Sequence, residues 1–280
     1  MKVIKNIITS IYSLYVILMF FATMLLVLIP YILISPFPRN TRMRFVYKIN
    51  IVWITSWAFL CGMIFKPEGL HHIERDQPYV LVSNHRNMLD VVITGSRIQH
   101  PFQPLVKEEV MKIPLFGTFL LRVTSIPVNR SNAESRKRSF QRMVDRVKEG
   151  TSILIFAEGT RNRTPHPLKT FYAGGFRLAI ETQVPILPIV LLDIYHQQPV
   201  DSFKVYPGIA RMHLLPPIST EGMTEDDVPM LQDKVHEMIW NYLTEHDKDF
   251  QHYKGDRKEV LATLEAERAA KIANRQASEK

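Results

Sequence analysis

The sequence predicts an α/β protein with a mostly parallel sheet flanked by helices, an N-terminal membrane-embedded helix pair and C-terminal helices. Between residues 67 and 222, short apolar runs alternate with helical patterns, as is typical of βαβ units. Before them, the stretch from Asn6 to Pro38 carries no charge and is long enough to cross a bilayer. We therefore expect a membrane-anchoring helix pair over 1–66, an α/β domain over 67–222 and a helical extension over 223–280.

Composition and charge narrow the class of protein. The chain has 280 residues, a single cysteine and a formal net charge of +8. One cysteine excludes an intramolecular disulfide framework and a metal site with two cysteine ligands. All acidic residues follow residue 67, whereas seven Lys or Arg precede it, so the remaining chain is nearly neutral. Because the basic excess flanks apolar segments, it indicates an anionic membrane surface rather than nucleic acid as the partner.

The first apolar segment predicts a membrane helix. Its 28 residues from Ile7 to Ile34 would form a helix about 42 Å long, which is too long for a signal-peptide core. A basic patch follows from Arg39 to Lys48, and residues 49–65 are again uncharged. This second segment predicts another membrane helix or an interfacial one. We favour a shallow hairpin over a true span, because it keeps every positive charge on one side of the membrane.

Apolar runs and helical periodicity define the elements of the rest of the chain. The predicted strands are 79–83, 104–106, 125–128, 152–156 and 184–192. The predicted helices between them are 88–97, 108–121, 132–149 and 173–182. Residues 203–206 and 210–215 predict a hairpin around Pro207 and Gly208. Two further helices are predicted over 225–247 and 256–275.

A histidine followed five positions later by an aspartate occurs three times, and the spacing alone is a weak signal. Such a pair can act as a base and its orienting acid only if the histidine precedes a helix and the aspartate lies in its first turn. His85–Asp90 fits, because it follows a predicted strand and enters a predicted helix. His71–Asp76 and His196–Asp201 lie in polar segments, and we interpret both as surface loops.

Two further motifs follow predicted strands. Residues 156–163, FAEGTRNR, place Glu158, Gly159, Thr160 and Arg161 at a strand end, where ligands of open α/β sheets commonly bind. The arginines offer forks that match phosphate oxygens, although the segment could equally be a polar turn. Residues 107–130 supply Lys107 at one strand end and Arg130 at the next. Each of these two is an ordinary surface charge unless a partner site is found.

Taken in order, four motifs resemble the glycerophospholipid acyltransferases, and most closely the bacterial 1-acyl-sn-glycerol-3-phosphate (lysophosphatidic acid) acyltransferases. They are NHRNMLD (84–90), KEEVMKIPLFG through SIPVNR (107–130), FAEGTR (156–161) and VPILPIVL (184–191). The resemblance covers roughly residues 66–220, together with an N-terminal helix pair typical of bacterial members.

The resemblance implies roles for eight residues. His85 would be the catalytic base and Asp90 its partner. The substrate-binding positions would be Glu158, Gly159, Thr160 and Arg161 in the acceptor motif, with Lys107 and Arg130 near the acceptor phosphate. No metal and no cofactor are implied.

The same resemblance implies an activity and a place in the cell. A fatty acyl group would pass from acyl-CoA or acyl-carrier protein to the sn-2 hydroxyl of lysophosphatidic acid, giving phosphatidic acid in phospholipid biosynthesis. The enzyme would act on membrane phospholipid at the cytoplasmic face of the cell membrane, which is the inner membrane where there are two.

Several positions depart from the family pattern. Asn87 stands where serine is common, Ser125 and Asn129 where glycine and aspartate are common, Ala157 where proline is common and Tyr172 where lysine is common. None removes a group that acyl transfer needs. They leave open a different lyso-lipid acceptor, such as a lyso-amino-acid lipid. A non-catalytic membrane lipid-binding protein is the alternative from another functional class.

Overall fold

A seven-stranded sheet forms the centre of the protein in the computed structural model, which describes residues 2–98, 100–114, 116–121, 124–129, 132–200 and 202–278. Its strands are β1 Met63–Glu68, β2 Val80–Ser83, β3 Phe102–Lys107, β4 Ile126–Val128, β5 Ser152–Phe156, β6 Ile186–Leu192 and β7 Gly208–Leu214. Their order across the sheet is β1-β7-β6-β2-β5-β3-β4. This arrangement confirms the predicted α/β class with a mostly parallel sheet.

Helices precede, connect and follow the strands. They are α1 Lys2–Ile34, α2 Arg39–Leu60, α3 Leu89–Arg97, α4 Ala133–Lys148, α5 Gly174–Thr182, α6 Ile194–Gln197, α7 Val228–His246 and α8 Arg257–Ser278. The predicted helix over 108–121 is wrong as a single element. A 3₁₀ turn covers Glu108–Lys112 and a π-helical turn covers Phe116–Leu121. Pro114 lies between them, where it interrupts helical hydrogen bonding.

Strand direction decides which ends of the strands meet. β2 pairs in parallel with both β5 and β6, whereas β7 pairs antiparallel to β6 and β1 pairs parallel to β7. The first residues of β1 and β7 therefore lie at the same end of the strands as the last residues of β2, β5 and β6. We call this end, where the predicted base His85 follows β2, the catalytic edge of the sheet. The predicted hairpin is wrong, because residues 203–206 form no strand and β7 pairs with β1 and β6 instead.

Helices cover both faces of the sheet. On one face, α4, α5 and α7 share a core with β2, β5 and β6 that includes Val144, Phe176 and Leu231. On the other face, α1, α2 and α3 pack over the same strands and over β1 and β7. Helix α7, which follows the last strand, contributes Val235 and Ile239, both fully buried, so this helix is part of the packing of the sheet.

The N-terminal helix pair differs from the expectation. Among the described residues, α1 is the one helix that is long and apolar enough to cross a membrane, over Val3–Ile34. The prediction of a membrane-embedded pair is therefore wrong in its second member. α2 carries several basic residues in its first ten positions, and its apolar half buries Trp53 and Trp57 against α1 and the sheet. The rest of the predicted apolar segment, from Met63, forms β1.

One face of α1 packs on protein and the other is exposed. Thr9, Ser13, Val16, Met24 and Tyr31 are buried along one stripe, with a spacing typical of a helix face. Two tryptophans of α2 hydrogen-bond to α1. The Trp57 Nε1 atom donates to the Val16 carbonyl at 3.2 Å, and the Trp53 Nε1 atom donates to the Thr23 hydroxyl at 2.9 Å. The apolar side chains opposite are exposed over the full length of the helix. Pro30 lies inside α1 without ending it.

Two glycines with left-handed backbone provide a test of the β1–β7 junction. Gly69 has φ +69°, and a Cβ there would lie 2.2 Å from the Leu214 carbonyl oxygen. Gly150, after α4, has φ +81° with nothing within 4 Å. Both alanine variants lose roughly 1–2 kcal/mol from the left-handed conformation. We expect Gly69→Ala to lose about 2 kcal/mol more, because backbone must shift.

Thermal unfolding in detergent measures this difference. At roughly 2–4 °C per kcal/mol, the midpoint of Gly69→Ala should lie several degrees below that of Gly150→Ala. Equal midpoints for the two variants would contradict the close approach of Gly69 to β7.

Candidate active site

A histidine and an aspartate meet at the catalytic edge of the sheet. His85 follows the end of β2 and Asp90 lies in the first turn of α3, where the helix dipole favours a carboxylate. The His85 Nδ1 atom lies 2.7 Å from Asp90 Oδ2. Asp90 is 1% exposed, whereas 18% of the His85 side chain is exposed. The carboxylate therefore holds the ring from inside, and the ring remains accessible.

The backbone between the two residues folds around the same carboxylate. Asp90 Oδ2 also accepts hydrogen bonds from the N–H groups of Arg86 at 2.5 Å and Asn87 at 2.9 Å. The His85 ring stacks on Phe156, the last residue of β5, with ring centroids 4.2 Å apart. With Nδ1 bound to Asp90 and one ring face covered, Nε2 is the ring nitrogen left for chemistry.

Asparagine side chains lock this loop onto its neighbours. The Asn84 amide donates to the Leu191 carbonyl at 3.0 Å and accepts from the Leu191 N–H at 2.8 Å, which continues the β2–β6 pairing by one side chain. Asn87 donates to the carbonyls of Ile194 at 3.3 Å and Gln198 at 2.8 Å. A serine at position 87 could not span both carbonyls, so this departure from the family pattern adds a tether to the segment after β6.

Glu158 lies beneath the dyad rather than at the surface. It is 1% exposed, and its Oε1 and Oε2 atoms accept hydrogen bonds from the backbone N–H groups of His85 at 2.8 Å and Lys169 at 2.9 Å. Burial raises the pKa of this carboxyl group from 4.5 to about 7, and the two N–H donors oppose that rise. The structure therefore places Glu158 where it joins two loops.

The remaining residues of the FAEGTR motif turn outward. Gly159 adopts φ +71°, which reverses the chain after β5. Thr160 and Arg161 are exposed beyond it. Lys169 bridges back to this turn, because its Nζ atom donates to the Thr160 carbonyl at 3.0 Å and hydroxyl at 2.7 Å. Lys169 is a residue that motif reading missed, since its link to Thr160 spans a loop of eight residues.

Lys107 and Arg130 are the other two basic positions of the predicted substrate site. Lys107 ends β3 and is exposed. Arg130 lies outside the described residues. β3 pairs in parallel with β5, so Lys107 at the end of β3 and Arg161 after β5 belong to neighbouring strands at the catalytic edge.

Of the two alternative histidine–aspartate pairs, only His71–Asp76 lies wholly within the described residues, and it forms no dyad there. His71 and Asp76 are both exposed in the segment before β2. His196 instead lies 3.1 Å from Asp249 through Nε2, and Asp201 is outside the described residues. Geometry thus separates His85–Asp90 from His71–Asp76, whereas the pair His196–Asp201 stays untested.

Arg86 connects the dyad loop to the C-terminal part of the chain. Its Nη2 atom donates to the His166 carbonyl at 2.7 Å, and its guanidinium lies 4.4 Å from the centroid of the Phe250 ring. Burial lowers the pKa of this guanidinium, while the negative charges of carboxylates, Glu158 first and Asp247 next, oppose the shift. His166 in turn contacts the Tyr253 hydroxyl at 2.5 Å through Nδ1. Sequence spacing gave no signal for these contacts across distant segments.

No group of three or more His, Cys, Asp or Glu able to hold a metal ion occurs among the described residues. The side chains gathered at the catalytic edge are instead an imidazole on a carboxylate, buried amides and exposed cations. That set can remove a proton from a hydroxyl group and attract an anion, in a loop held by backbone hydrogen bonds.

The chain is similar to known acyltransferases. The family model described as Acyltransferase matches residues 64–192. The 1-acyl-sn-glycerol-3-phosphate acyltransferase alpha of Mus musculus is 33% identical over 197 residues, which cover 69% of this chain and 68% of that protein. The 1-acyl-sn-glycerol-3-phosphate acyltransferase of Haemophilus influenzae is 27% identical over 211 residues, 74% of this chain and 87% of that protein.

A solved structure has the same fold. The crystal structure of the 1-acyl-sn-glycerophosphate (LPA) acyltransferase from Thermotoga maritima superposes with a TM-score of 0.68 at 20% identity, covering 91% of this chain and all 100% of that one. At 20% identity this match shows the fold alone.

The pKa of Glu158 makes stability depend on pH. The group loses its proton near 4.5 when unfolded and near 7 when folded, so stability falls as pH rises through this window. The glutamine of Glu158→Gln has no proton to lose. We therefore expect the free energy of unfolding of the wild type, relative to that of this variant, to fall by on the order of 3 kcal/mol between about pH 5 and about pH 8. Unfolding midpoints in detergent measure it.

The control is Glu181→Gln, an exposed carboxyl on α5. It separates the removal of a buried carboxyl group from the removal of a carboxyl group at the surface. Parallel pH curves for Glu158→Gln and the wild type would show that Glu158 is already ionised at low pH, contrary to the expectation.

Proposed function

Because the chain belongs to the Acyltransferase family and is an acyltransferase related to the lysophosphatidic acid acyltransferases, we propose that its reaction is acylation of the sn-2 hydroxyl of lysophosphatidic acid to phosphatidic acid. The acyl donor would be acyl-CoA or acyl-carrier protein. The observation that carries the proposal is the accessible His85 ring held at Nδ1 by the buried Asp90. The names of its relatives support 1-acyl-sn-glycerol-3-phosphate as the acceptor.

The mechanism follows from the dyad. The acceptor hydroxyl approaches His85 Nε2, which takes its proton as the oxygen attacks the thioester carbonyl carbon. A C–O bond forms and the C–S bond breaks, and the departing thiolate takes the proton back from the imidazolium. Asp90 fixes the ring tautomer with the proton on Nδ1 and stabilises the imidazolium, by the logic of catalytic triads. No acyl-enzyme forms, because the protein supplies no nucleophile to this reaction.

Exposed cations beside the dyad would hold the acceptor phosphate. Arg161 offers a planar fork for two phosphate oxygens, and Lys107 follows the neighbouring strand. Thr160 and Gly159 shape the turn that presents Arg161, and Arg130 would assist. Glu158 would contribute by holding the loops rather than by touching the acceptor. Anchoring the phosphate positions the hydroxyl for attack.

The N-terminal part would place this site at a membrane. The exposed apolar face of α1 supports insertion, and the exposed cations Arg44 and Lys48 on α2 support contact with anionic headgroups. Because α1 packs on α2 and on the α/β domain along one face, a shallow monotopic insertion fits better than a free span. We place the enzyme at the cytoplasmic face of the cell membrane, with residues 1–66 as the anchor, 67–222 as the acyltransferase domain and 223–280 as its helical extension.

Replacing His85 tests the base. His85→Ala should lower phosphatidic acid formation from labelled lysophosphatidic acid by about 10²–10⁴-fold, because proton removal from the hydroxyl is lost. His71→Ala, an exposed histidine of the surface pair, is the matched control and should keep wild-type activity. Equal product from His85→Ala and the wild type would rule out the dyad mechanism. Product from another lyso-lipid alone would change the acceptor and keep the mechanism.

Replacing Arg161 tests the phosphate site. Arg161→Met should raise KM for lysophosphatidic acid by about 10–100-fold, the loss expected for one or two hydrogen bonds to a charged group. With a monoacylglycerol, which lacks the phosphate, kcat/KM should be the same in variant and wild type. Arg177→Met removes an exposed arginine that pairs with Glu225 and serves as the control. Equal losses with both acceptors would argue against phosphate binding by Arg161.

A further inference from the structure

The helices α7 and α8 contact the segment that leads from the FAEGTR turn to α5. Gln232 on α7 donates through Nε2 to the Phe171 carbonyl at 3.1 Å. The Arg268 guanidinium on α8 lies 4.0 Å from the centroid of the Tyr172 ring. Both helices follow the residues that the family model matches. A part of the chain beyond the family match therefore supports a segment next to the candidate site.

A histidine of α7 makes a third contact with this segment. His236 is 2% exposed, and its Nε2 atom donates to the Lys169 carbonyl at 3.2 Å. The aromatic rings of Phe171 and Trp240 lie beside it, with their centroids 4.7 and 5.9 Å from that of the imidazole. The imidazole is therefore packed in the core, while one of its nitrogens binds the backbone of residue 169.

The two partners of His236 define its tautomer. A carbonyl oxygen can only accept a hydrogen bond, so Nε2 carries the proton. The Nη1 atom of Arg257, at the start of α8, lies 3.3 Å from Nδ1 and can only donate, so Nδ1 is the acceptor. The same Nη1 atom donates to Asp233 Oδ1 at 2.8 Å, which holds the guanidinium in place. Burial and the charge of Arg257 lower the pKa of His236 to about 4, so the ring is neutral at neutral pH.

Lys169 connects His236 to the dyad loop. Its carbonyl accepts from His236, whereas its own N–H donates to Glu158 Oε2 at 2.9 Å. The other carboxyl oxygen, Glu158 Oε1, accepts from the His85 N–H at 2.8 Å. Three hydrogen bonds in series therefore join the ring of His236 to the backbone of His85.

We propose that His236 is a positioning residue for His85, acting through Lys169 and Glu158, and that Arg257 holds His236 in the tautomer that this role requires. The proposal rests on the proposed function, in which His85 is the base. Without a donor at Nε2, the backbone of Lys169 moves and its N–H leaves Glu158. The carboxyl group then holds the His85 backbone less firmly, and the imidazole shifts relative to the acceptor hydroxyl. A misplacement of about 1 Å at a reacting group can cost about 10²-fold in rate.

Two variants of similar side-chain length isolate the donor. His236→Gln keeps an amide donor near the place of Nε2 and an acceptor for Arg257, whereas His236→Met has no donor. Both lose the imidazole ring, so their unfolding midpoints in detergent should fall by similar amounts. With acyl-CoA and labelled lysophosphatidic acid, His236→Gln should keep kcat within about twofold of the wild type. His236→Met should lower kcat at least about tenfold and leave KM for acyl-CoA unchanged.

Equal kcat values in His236→Gln and His236→Met would assign the effect of the histidine to packing and overturn the proposal. If His236→Met fails to fold, Arg257→Met decides, because this side chain lies near the surface and its loss frees the tautomer of His236. Its kcat should fall about threefold or more, since only part of the molecules keep the proton on Nε2. Lys258→Met, the exposed neighbour on α8, is the control and should keep the wild-type kcat. Equal kcat in Arg257→Met and Lys258→Met would overturn the proposal.

Hydrogen exchange separates this proposal from the proposed function, because it needs no substrate. Peptides covering 83–90 and 167–172 contain the two N–H groups that Glu158 accepts. They should exchange at least about fivefold faster in His236→Met than in His236→Gln, while 208–214 in β7 exchanges equally in both. This difference, in a wild type that forms no phosphatidic acid, would contradict the proposed reaction and support the positioning of His85 by His236. Equal exchange of 83–90 in the two variants, in a wild type that forms phosphatidic acid, would overturn the positioning and leave the proposed function intact.

Discussion

The buried carboxylate of Glu158 is the interaction on which the geometry of the site depends. Its two oxygens accept hydrogen bonds from the N–H groups of His85 and Lys169. The same side chain therefore links the loop after β2 to the segment before α5 and fixes their relative position. Backbone N–H groups inside a protein need hydrogen-bond acceptors, and the two oxygens of one carboxyl group can serve two such N–H groups at once. The ring that stacks on Phe156 and the lysine that holds Thr160 are positioned through this single side chain.

Local pattern was enough to predict much of the fold. β2, β5 and β6 are short apolar runs that are buried on both sides, and the helices between strands show a clear amphipathic spacing, so both signals are local. β1 was missed because Met63–Phe65 continues an uncharged helical segment, and only the partner strand β7 turns it into a strand. The mistaken hairpin has the same cause: the sequence around Gly208 permits a turn, but β7 has better partners in β1 and β6.

The candidate site was predictable to the extent that its residues are neighbours in sequence. His85 and Asp90 could be identified because the strand, the loop and the first helical turn are contiguous. Arg86 meets Phe250 and His166 meets Tyr253 only after the chain has folded, so no spacing rule reveals these contacts. Glu158 shows the limit most clearly. Its motif predicted substrate binding, which stays a prediction, but the motif could not reveal the two backbone N–H groups from separate segments that this carboxyl group accepts.

The contact of Arg86 with Phe250 has a consequence for the order in which the protein is made. α1 leaves the ribosome before the α/β domain and can meet lipid while that domain is still being synthesised, since domains fold as their segments emerge. Phe250 and Tyr253, which pack against the loops beside the dyad, emerge after all seven strands of the described sheet. A nascent chain would therefore reach the membrane before its active site is complete. Synthesis that stopped before Phe250 would leave a chain that has α1 but lacks the contact of Phe250 with Arg86, so the loop of the dyad would be fully supported only after α1 had met lipid.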